Sequence, residues 1–370
     1  MRRSSHPLAL EPIIMNIHDM LQMVIDRKGS DLHILVGSPP CLRVDGELIP
    51  IEGAPVLKKE HAELLVFPLM TQEQKDYVAV NKEVDFGYQF KDLGRFRINV
   101  YFQQGRLSAA LRLIPTKIRS IDELQLPPIF HQLVQYRQGL VLLTGPTGEG
   151  KSTTLAAMIE EINLTRAEHI LTIEDPVEFI YQPQKSVISQ RELHQDTHSW
   201  EIALRSALRE DPDVVLVGEM RDYETIAAAI TVAETGHLVF ATLHTNSASQ
   251  TIDRIIDVFP EHQQAQVRQQ LAATIQAVVS QRLVPMAGGG RVAATEIMLA
   301  NSAVRNLIRE GKSFQIDNVL QTSGDVGMML MEASLADWVQ RGAISWERAH
   351  EYSIRPEEFE RLAGAGKSSK

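Results

Sequence analysis

The sequence predicts an α/β protein in two folded units: a mixed α+β N-terminal domain, then a domain whose mostly parallel sheet carries a phosphate-binding loop. Three observations lead there. The chain has 370 residues, longer than one hydrophobic core usually grows. Past Ile129, apolar strands alternate with helix-spaced segments, the order of a parallel sheet covered on both faces. Gly145 to Ser152 reads GPTGEGKS, the pattern G-x-x-x-x-G-K-[ST], between the apolar run Gly139-Leu140-Val141-Leu142-Leu143 and a helix-like stretch from Thr153 to Ile162.

Residues 1–15 read as an unstructured tail, with Met15 an alternative start. Pro7 to Ile14 is too short and too interrupted for a signal peptide. Within 16–114, Ile17, Met20, Leu21, Val24 and Ile25 have helical spacing, and Gly29 stops that helix. Asp31 to Val36 reads as a strand. Cys41 to Val44 and Glu47 to Ile51, joined by Asp45-Gly46, read as a hairpin. Two helices, Lys58 to Phe67 and Gln72 to Val78, precede strands at Val84 to Phe90, Gly94 to Phe102 and Leu107 to Ile114.

Three prolines and several charges make 115–128 a linker able to serve as a hinge. Over 129–300 the expected strands are Leu140 to Thr144, Ile170 to Ile173, Val214 to Val217 and Leu238 to Thr242. Helices at 153–162, 199–209, 222–233 and 247–257 alternate with them. A long amphipathic helix is expected from Glu261 to Leu283, then a strand from Arg291 to Met298. Only helical spacing remains over 301–363, and 364–370 reads as a fraying tail.

Composition narrows the classes. Apolar residues make up 44% and charged residues 23%, with 22 glycines and 17 prolines, which excludes a disordered or fibrous chain. The formal charge of −10 disfavours a sequence-independent duplex binder, which needs a basic stripe to release counterions, so nucleic acid is not an expected partner. One cysteine, Cys41, excludes an intrachain disulfide and a thiolate-rich zinc cluster and fits a reducing cytosol. No apolar run reaches the ~18 residues of a membrane span, so no membrane insertion is expected.

The phosphate loop predicts a nucleoside triphosphate with Mg²⁺. A buried strand delivers the loop to a helix N-terminus, where unpaired N–H groups favour a polyanion. Gly145, Pro146, Thr147, Gly148, Glu149, Gly150, Lys151, Ser152 and Thr153 would hold the phosphates, Lys151 reaching the β- and γ-phosphates and Ser152 ligating the metal. Thr172-Ile173-Glu174-Asp175-Pro176-Val177-Glu178 places acids just past a strand C-terminus, where parallel sheets bind ligands. Glu174 is the candidate for orienting and deprotonating the attacking water, with Asp175 and Glu178 assisting. Glu219 follows the strand Val214 to Val217, roughly 70 residues after the loop, and is the candidate for Mg²⁺, partly through water. His237 and His244 flank one strand and are candidates for sensing the γ-phosphate or bridging to a neighbouring subunit. His33 is assigned to structure.

The set GPTGEGKST, TIEDPVEF, DPDVVLVGEMRD and TGHLVFATLHTN resembles the phosphate loop, aspartate box, Walker B and histidine box of the type II/IV secretion ATPases. GSDLHILVGSPPCLRVDGEL and AVRNLIRE narrow the likeness, over roughly residues 16–350, to the PilT-like pilus retraction motors. The resemblance implies a PAS-like N-terminal domain, a RecA-like ATPase domain with a C-terminal helical extension, and a homo-hexamer. It also implies a cytoplasmic location at the inner face of the cell membrane, an inner-membrane pilus platform protein as partner, and a possible paralogous ATPase. Arginines of the first domain would close over the nucleotide; the matching positions are Arg95, Arg97 and Arg112, whose planar forks suit phosphate. On spacing alone, that strand would instead pair its arginines with Asp85 or Asp92. AVRNLIRE on spacing alone is an amphipathic helix burying Val304, Leu307 and Ile308 and exposing Arg305, Arg309 and Glu310; the resemblance makes it necessary for retraction. Met328, Met329 and Met331 read as core. Glu149 departs from the serine usual in related loops and leaves an accessory ATPase as an alternative to a self-sufficient motor. Assembly and secretion ATPases of the superfamily carry a four-cysteine zinc module that this sequence lacks.

Overall fold

A computed structural model of the chain describes residues 15–44, 46–91, 93–114 and 117–365. Asp45 of the expected hairpin turn, Asp92, and the tails 1–14 and 366–370 lie outside the described residues. The chain divides into two units, Met1–Lys117 and Ile118–Lys370.

In the first unit, six strands form one antiparallel sheet: β1 (Asp31–Ile34), β2 (Cys41–Val44), β3 (Glu47–Pro50), β4 (Glu83–Phe90), β5 (Gly94–Gln103) and β6 (Arg106–Ile114), ordered β3-β2-β1-β6-β5-β4. The period of two is plain in β5. Phe96, Ile98 and Val100 are buried while Arg95, Arg97 and Asn99 alternate outward, as a pleat with one covered face requires. Helix Ile17–Asp26 starts on a capping box, Asn16 with Asp19, and packs Met20, Leu21 and Val24 into the same core as Leu32 and Leu111. Helices Lys59–Val66 and Gln72–Asn81 complete the unit. His33 is half-buried, and burial lowers its basicity.

The second unit is built on seven strands: β7 (Gly139–Thr144), β8 (His169–Glu174), β9 (Val187–Glu192), β10 (Val214–Val217), β11 (Leu238–Leu243), β12 (Ile275–Pro285) and β13 (Arg291–Leu299), ordered β13-β12-β7-β11-β10-β8-β9. All pairings are parallel except β12 with β13. β7, β10 and β11 are buried at every position, the continuous apolar reading of a sheet covered on both faces. Helices Lys151–Thr165, Trp200–Ala207, Tyr223–Glu234 and Ala248–Asp257 cover them, and the last three start on Ser199, Asp222 and Ser247 side-chain caps.

Several sequence expectations need correction. The long helix expected to Leu283 stops at Thr274, and the chain continues as β12. Ile275, Ala277, Val278 and Val279 are fully buried, and such a run reads the same as a buried helix until β-branched content decides. β9 was not expected because Ser189, Gln190, Arg191 and Glu192 are polar; it is an edge strand with Val187 exposed. The linker 115–128 is largely not a linker: Ile121 and Leu126 are buried in the second unit's core. Gly364 and Ala365, assigned to a fraying tail, still belong to the helix Pro356–Ala365.

Beyond Leu299, helices Ser302–Arg309, Ile316–Thr322, Met331–Gln340, Trp346–Tyr352 and Pro356–Ala365 follow. Met331, Leu335, Trp338 and Phe359 form a core with Val284 of β12 and Val292 of β13. Met328 and Met331 are buried, and Met329 packs partly buried against the main core. In Ser302–Arg309, Val304 and Ile308 are buried and Leu307 half-buried. Arg305, expected on the exposed face, instead donates to Ala272 O at 2.6 Å and Ala273 O at 3.0 Å, capping the C-terminus of helix Glu261–Thr274. Among the described residues no helix is long and apolar enough to cross a membrane.

Candidate functional site

The C-terminal ends of β7, β11, β10 and β8 lie side by side, so the phosphate loop, His244, Glu219 and Glu174 share one edge of the sheet, where open parallel sheets place ligands. The loop's shape depends on two glycines. A Cβ at Gly145 would stand 2.4 Å from Gln281 O, so β12 presses directly on the loop. Gly150, at φ 78°, is the N-cap of helix Lys151–Thr165, a conformation that other residues adopt at a cost. The helix leaves its first N–H groups without helical acceptors beside Gly148, Glu149 and Gly150.

Lys151 is 8% exposed, and its ammonium donates to Gly145 O at 2.7 Å and Pro146 O at 2.8 Å. Burial lowers its pKa, opposed by the Glu219, Glu149 and Glu178 carboxylates. Thr144 and Ser280 hydroxyls bond at 2.8 Å. Thr154 donates to Gln281 Oε1 at 2.9 Å, and Gln281 Nε2 donates to Glu149 O at 2.7 Å. Gln281 therefore joins the loop to β12. Spacing could not reveal this residue while β12 was read as helix. Glu149 turns its carboxylate onto the Leu283 backbone N–H. β7 ends at Thr144, opposite Ser280, so that N–H lies where β12 outruns its neighbour, and the acid replaces the missing strand.

Glu174 is 8% exposed. Its Oε2 accepts from the Glu178 N–H at 3.3 Å, and Oε1 has no hydrogen-bond partner. Burial pushes its pKa up from 4.5 to about 7, opposed first by the nearby Thr172 side chain and then by the Glu178 N–H. Such a carboxylate is poised to take a proton near neutrality. Gly218 presses on Glu174, since a Cβ there would stand 3.3 Å from the Glu174 Cα.

Glu219 is held differently. Its Oε1 meets Arg221 Nε at 2.7 Å and His244 Nε2 at 2.8 Å. Burial alone would raise its pKa, but Arg221 and His244 outweigh that and hold it below the usual range. Thr242 fixes the turn by donating to Gly218 O at 2.5 Å and accepting at its own carbonyl from the Met220 N–H at 3.0 Å. His244 and Glu219 are thus one unit, and Arg221 is a member that sequence reasoning did not single out.

His237 is not brought to this edge. It precedes β11, whereas His244 follows it, so six residues of strand, roughly 20 Å, separate them within one chain. Its Nδ1 lies 3.1 Å from Val232 O and 3.0 Å from Thr235 Oγ1. Within the first unit, Arg97 pairs with Asp85 at 2.6 Å and Arg112 with Asp31 at 2.8 Å. The Arg95 guanidinium lies over Gly87, where a Cβ would meet it at 2.1 Å.

The residues present suit Mg²⁺. Ser152 supplies a hydroxyl one residue into helix Lys151–Thr165, and Glu219 an ionised carboxylate. Among the described residues no group of three or more His, Cys, Asp or Glu forms a metal cage; Mg²⁺ needs none, because it keeps several waters and takes one or two carboxylates plus phosphate oxygens.

Residues 8–289 match the sequence model of the family described as type II/IV secretion system protein. The type IV pilus retraction ATPase PilT of Pseudomonas aeruginosa is 47% identical over 345 residues, covering 93% of this chain and 100% of that protein. A twitching motility protein of Neisseria gonorrhoeae is 52% identical over 312 residues, covering 84% and 83%. A crystal structure described as the pilus retraction motor PilT with bound ADP superposes with a TM-score of 0.87 at 45% identity, covering 94% of this chain and 99% of that one. With the phosphate loop, the acids and the sheet order all in place, this chain belongs to the type II/IV secretion system protein family.

Proposed function

We propose that this protein is a motor ATPase that hydrolyses Mg²⁺-bound ATP to power retraction of type IV pili, the movement behind twitching motility. The observation that carries the chemistry is the juxtaposition on one sheet edge of a phosphate loop and a buried carboxylate, Glu174, with a spare oxygen. The pilus assignment rests on likeness to a retraction ATPase over that protein's whole length.

Phosphate oxygens replace the Gly145 and Pro146 carbonyls as acceptors for Lys151, and the N–H groups opening helix Lys151–Thr165 receive the remaining negative charge. Ser152 and Glu219 would hold Mg²⁺, which would supply positive charge against the triphosphate. Glu174 Oε1 orients a water and accepts its proton as the oxygen attacks the γ-phosphorus; the bond to the β,γ-bridging oxygen breaks, giving ADP and phosphate. His244, fixed on Glu219, reports the state of the terminal phosphate.

The finer parts of the reading follow from family likeness. Arg95, Arg97 and Arg112 close over the nucleotide and stabilise charge in the transition state. The chain works as a homo-hexamer in which His237, at the opposite edge of the sheet, serves the neighbouring subunit. It acts in the cytoplasm against an inner-membrane pilus platform protein, alone or beside a paralogous ATPase, without nucleic acid. Glu149 is anchored on the Leu283 N–H of β12 while its charge still acts on Lys151; the anchorage favours a self-sufficient motor over an accessory subunit.

The test is ATP turnover and particle mass on the same purified sample, with twitching scored in a deletion strain. The expected result is magnesium-dependent phosphate release from a six-subunit particle, abolished by Lys151→Ala, and loss of twitching without the gene. Turnover by Lys151→Ala equal to wild type would overturn the chemistry; normal twitching in the deletion strain would overturn the pilus assignment.

A further inference from the structure

Arg355, between helices Trp346–Tyr352 and Pro356–Ala365, plays no part in the chemistry above, yet three carboxylates hold it. Its Nη1 donates to Glu296 Oε2 at 3.0 Å and Glu332 Oε2 at 2.9 Å, while Nε and Nη2 donate to Asp317 Oδ2 at 3.1 and 2.6 Å. Glu296 and Glu332 are completely buried. The second oxygen of Glu332 accepts from the Ile354 and Arg355 N–H groups at 3.0 and 2.8 Å, which locks Arg355 to its own turn.

The second oxygen of Glu296 goes elsewhere. It accepts from the Ala248 N–H at 2.8 Å, the first residue of helix Ala248–Asp257, which opens four residues after His244. Arg282 of β12 ties the same loop down by donating to Asn246 Oδ1 at 3.2 Å. Register adds a second route. Glu296 on β13 lies opposite Ser280 on β12, Ser280 opposite Thr144 on β7, and Thr144 opposite Leu243 on β11. That row ends on the residue before the phosphate loop and the residue before His244.

We infer that Arg355 is a positioning residue which, through Glu296, fixes the loop from His244 to Ser247 and so couples the C-terminal helices to the state of the nucleotide site. The inference rests on the ATP-hydrolysing reading. Physically, Glu296 and Glu332 share one guanidinium nitrogen, so without the arginine two buried carboxylates face each other as like charges. One must take up a proton or swing away, and movement of Glu296 releases Ala248. Lysine keeps the charge but lacks the planar fork that serves three carboxylates at once. By linkage, a nucleotide that reshapes the His244 loop must act on the Arg355 cluster with the same free energy.

Two measurements on the full-length protein test this. In the first, ATP kinetics and thermal unfolding are measured for Arg355→Lys, Glu296→Gln and the double variant, at a temperature where each is folded. Glu296→Gln keeps an acceptor for Ala248 while losing the charge that binds Arg355. The expected result is a fall in kcat of at least about fivefold in each single variant with KM for ATP unchanged, and a double variant no worse than either single. A wild-type kcat in folded Arg355→Lys, or losses that multiply in the double variant, would overturn the inference and leave Arg355 a purely structural clasp. The second is hydrogen exchange of the wild-type protein with and without ADP and magnesium, which needs no variant to fold. Nucleotide is expected to slow exchange at 346–356 as well as at 244–250; slowing at 244–250 alone would overturn the coupling. If the wild-type protein binds ADP but never turns over ATP, the hydrolytic reading fails, and the exchange result still decides the coupling.

Discussion

At the edge of the seven-stranded sheet, Glu174 keeps one oxygen without a partner and Lys151 rests on two backbone carbonyls, whereas in the six-stranded sheet Asp85 and Asp31 already hold Arg97 and Arg112. Glu174 and Lys151 are more than nine-tenths buried at the sheet edge and held by backbone groups, whereas Arg97 and Arg112 sit in partly exposed ion pairs. The unpartnered oxygen of Glu174 is costly to keep buried, which fits a ligand bound at this edge. An arginine paired with aspartate is different. Its five donors let it hold a carboxylate and still offer N–H groups to a phosphate, so the pair neither requires nor forbids a catalytic part.

The strongest way to break this contrast is Glu174→Gln. Removing the base is expected to lower kcat by about a thousandfold while ATP still binds, as read by single-turnover phosphate release; a loss under tenfold would remove Glu174 from the water's path. Next is Arg97→Gln. An arginine acting on the transferring phosphoryl group is worth on the order of 10³ in rate, while its exposed pair with Asp85 contributes at most ~1 kcal/mol to stability. Turnover is therefore expected to fall about a hundredfold or more with little change in melting temperature, and the reverse outcome would leave the arginine structural.

A third prediction concerns pH. Glu174 must be ionised to accept a proton, so kcat is expected to rise about tenfold per unit as pH climbs toward about 7 and then level. Stability runs the other way. The folded value of about 7 lies above an ordinary 4.5, so the buried acid is at no disadvantage below pH 4.5, and its contribution is lost as pH rises through 7. The loss is roughly 3 kcal/mol when complete. Glu174→Gln is thus expected to flatten that decline in chemical denaturation, and an unchanged pH dependence of stability would contradict the assignment. The smallest effect belongs to Glu149→Gln. The amide still accepts from Leu283, but a negative charge acting on Lys151 is gone, so ATP is expected to bind about fivefold tighter, on the order of 1 kcal/mol. Weaker binding by calorimetry would mean that the acid shapes the loop through its charge.

Features carried by short, local spacing were legible in the sequence: the phosphate loop between strand and helix, the acids at the ends of β8 and β10, the pleat of β5. Features that depend on strand order were not. The bond between His244 and Glu219 requires β11 beside β10, and Gln281 reaches the loop only because β12 lies beside β7, so reading Ile275 to Leu283 as helix hid it. Spacing placed His237 and His244 on either side of one strand yet gave both the same part, although six residues of strand hold them at opposite edges. Arg305 looked exposed because its acceptors belong to another helix. The Arg355 cluster draws its carboxylates from β13 and two separate helices, a convergence that no periodicity displays.

The central claim is that one pocket divides binding from chemistry between Lys151 and Glu174. Equilibrium titration of ATP and magnesium into Lys151→Ala and Glu174→Gln, with phosphate release followed on the same samples, tests it most directly. Near-wild-type affinity without turnover is expected for Glu174→Gln, with loss of both for Lys151→Ala. Turnover surviving in Glu174→Gln, or undiminished affinity in Lys151→Ala, would contradict it.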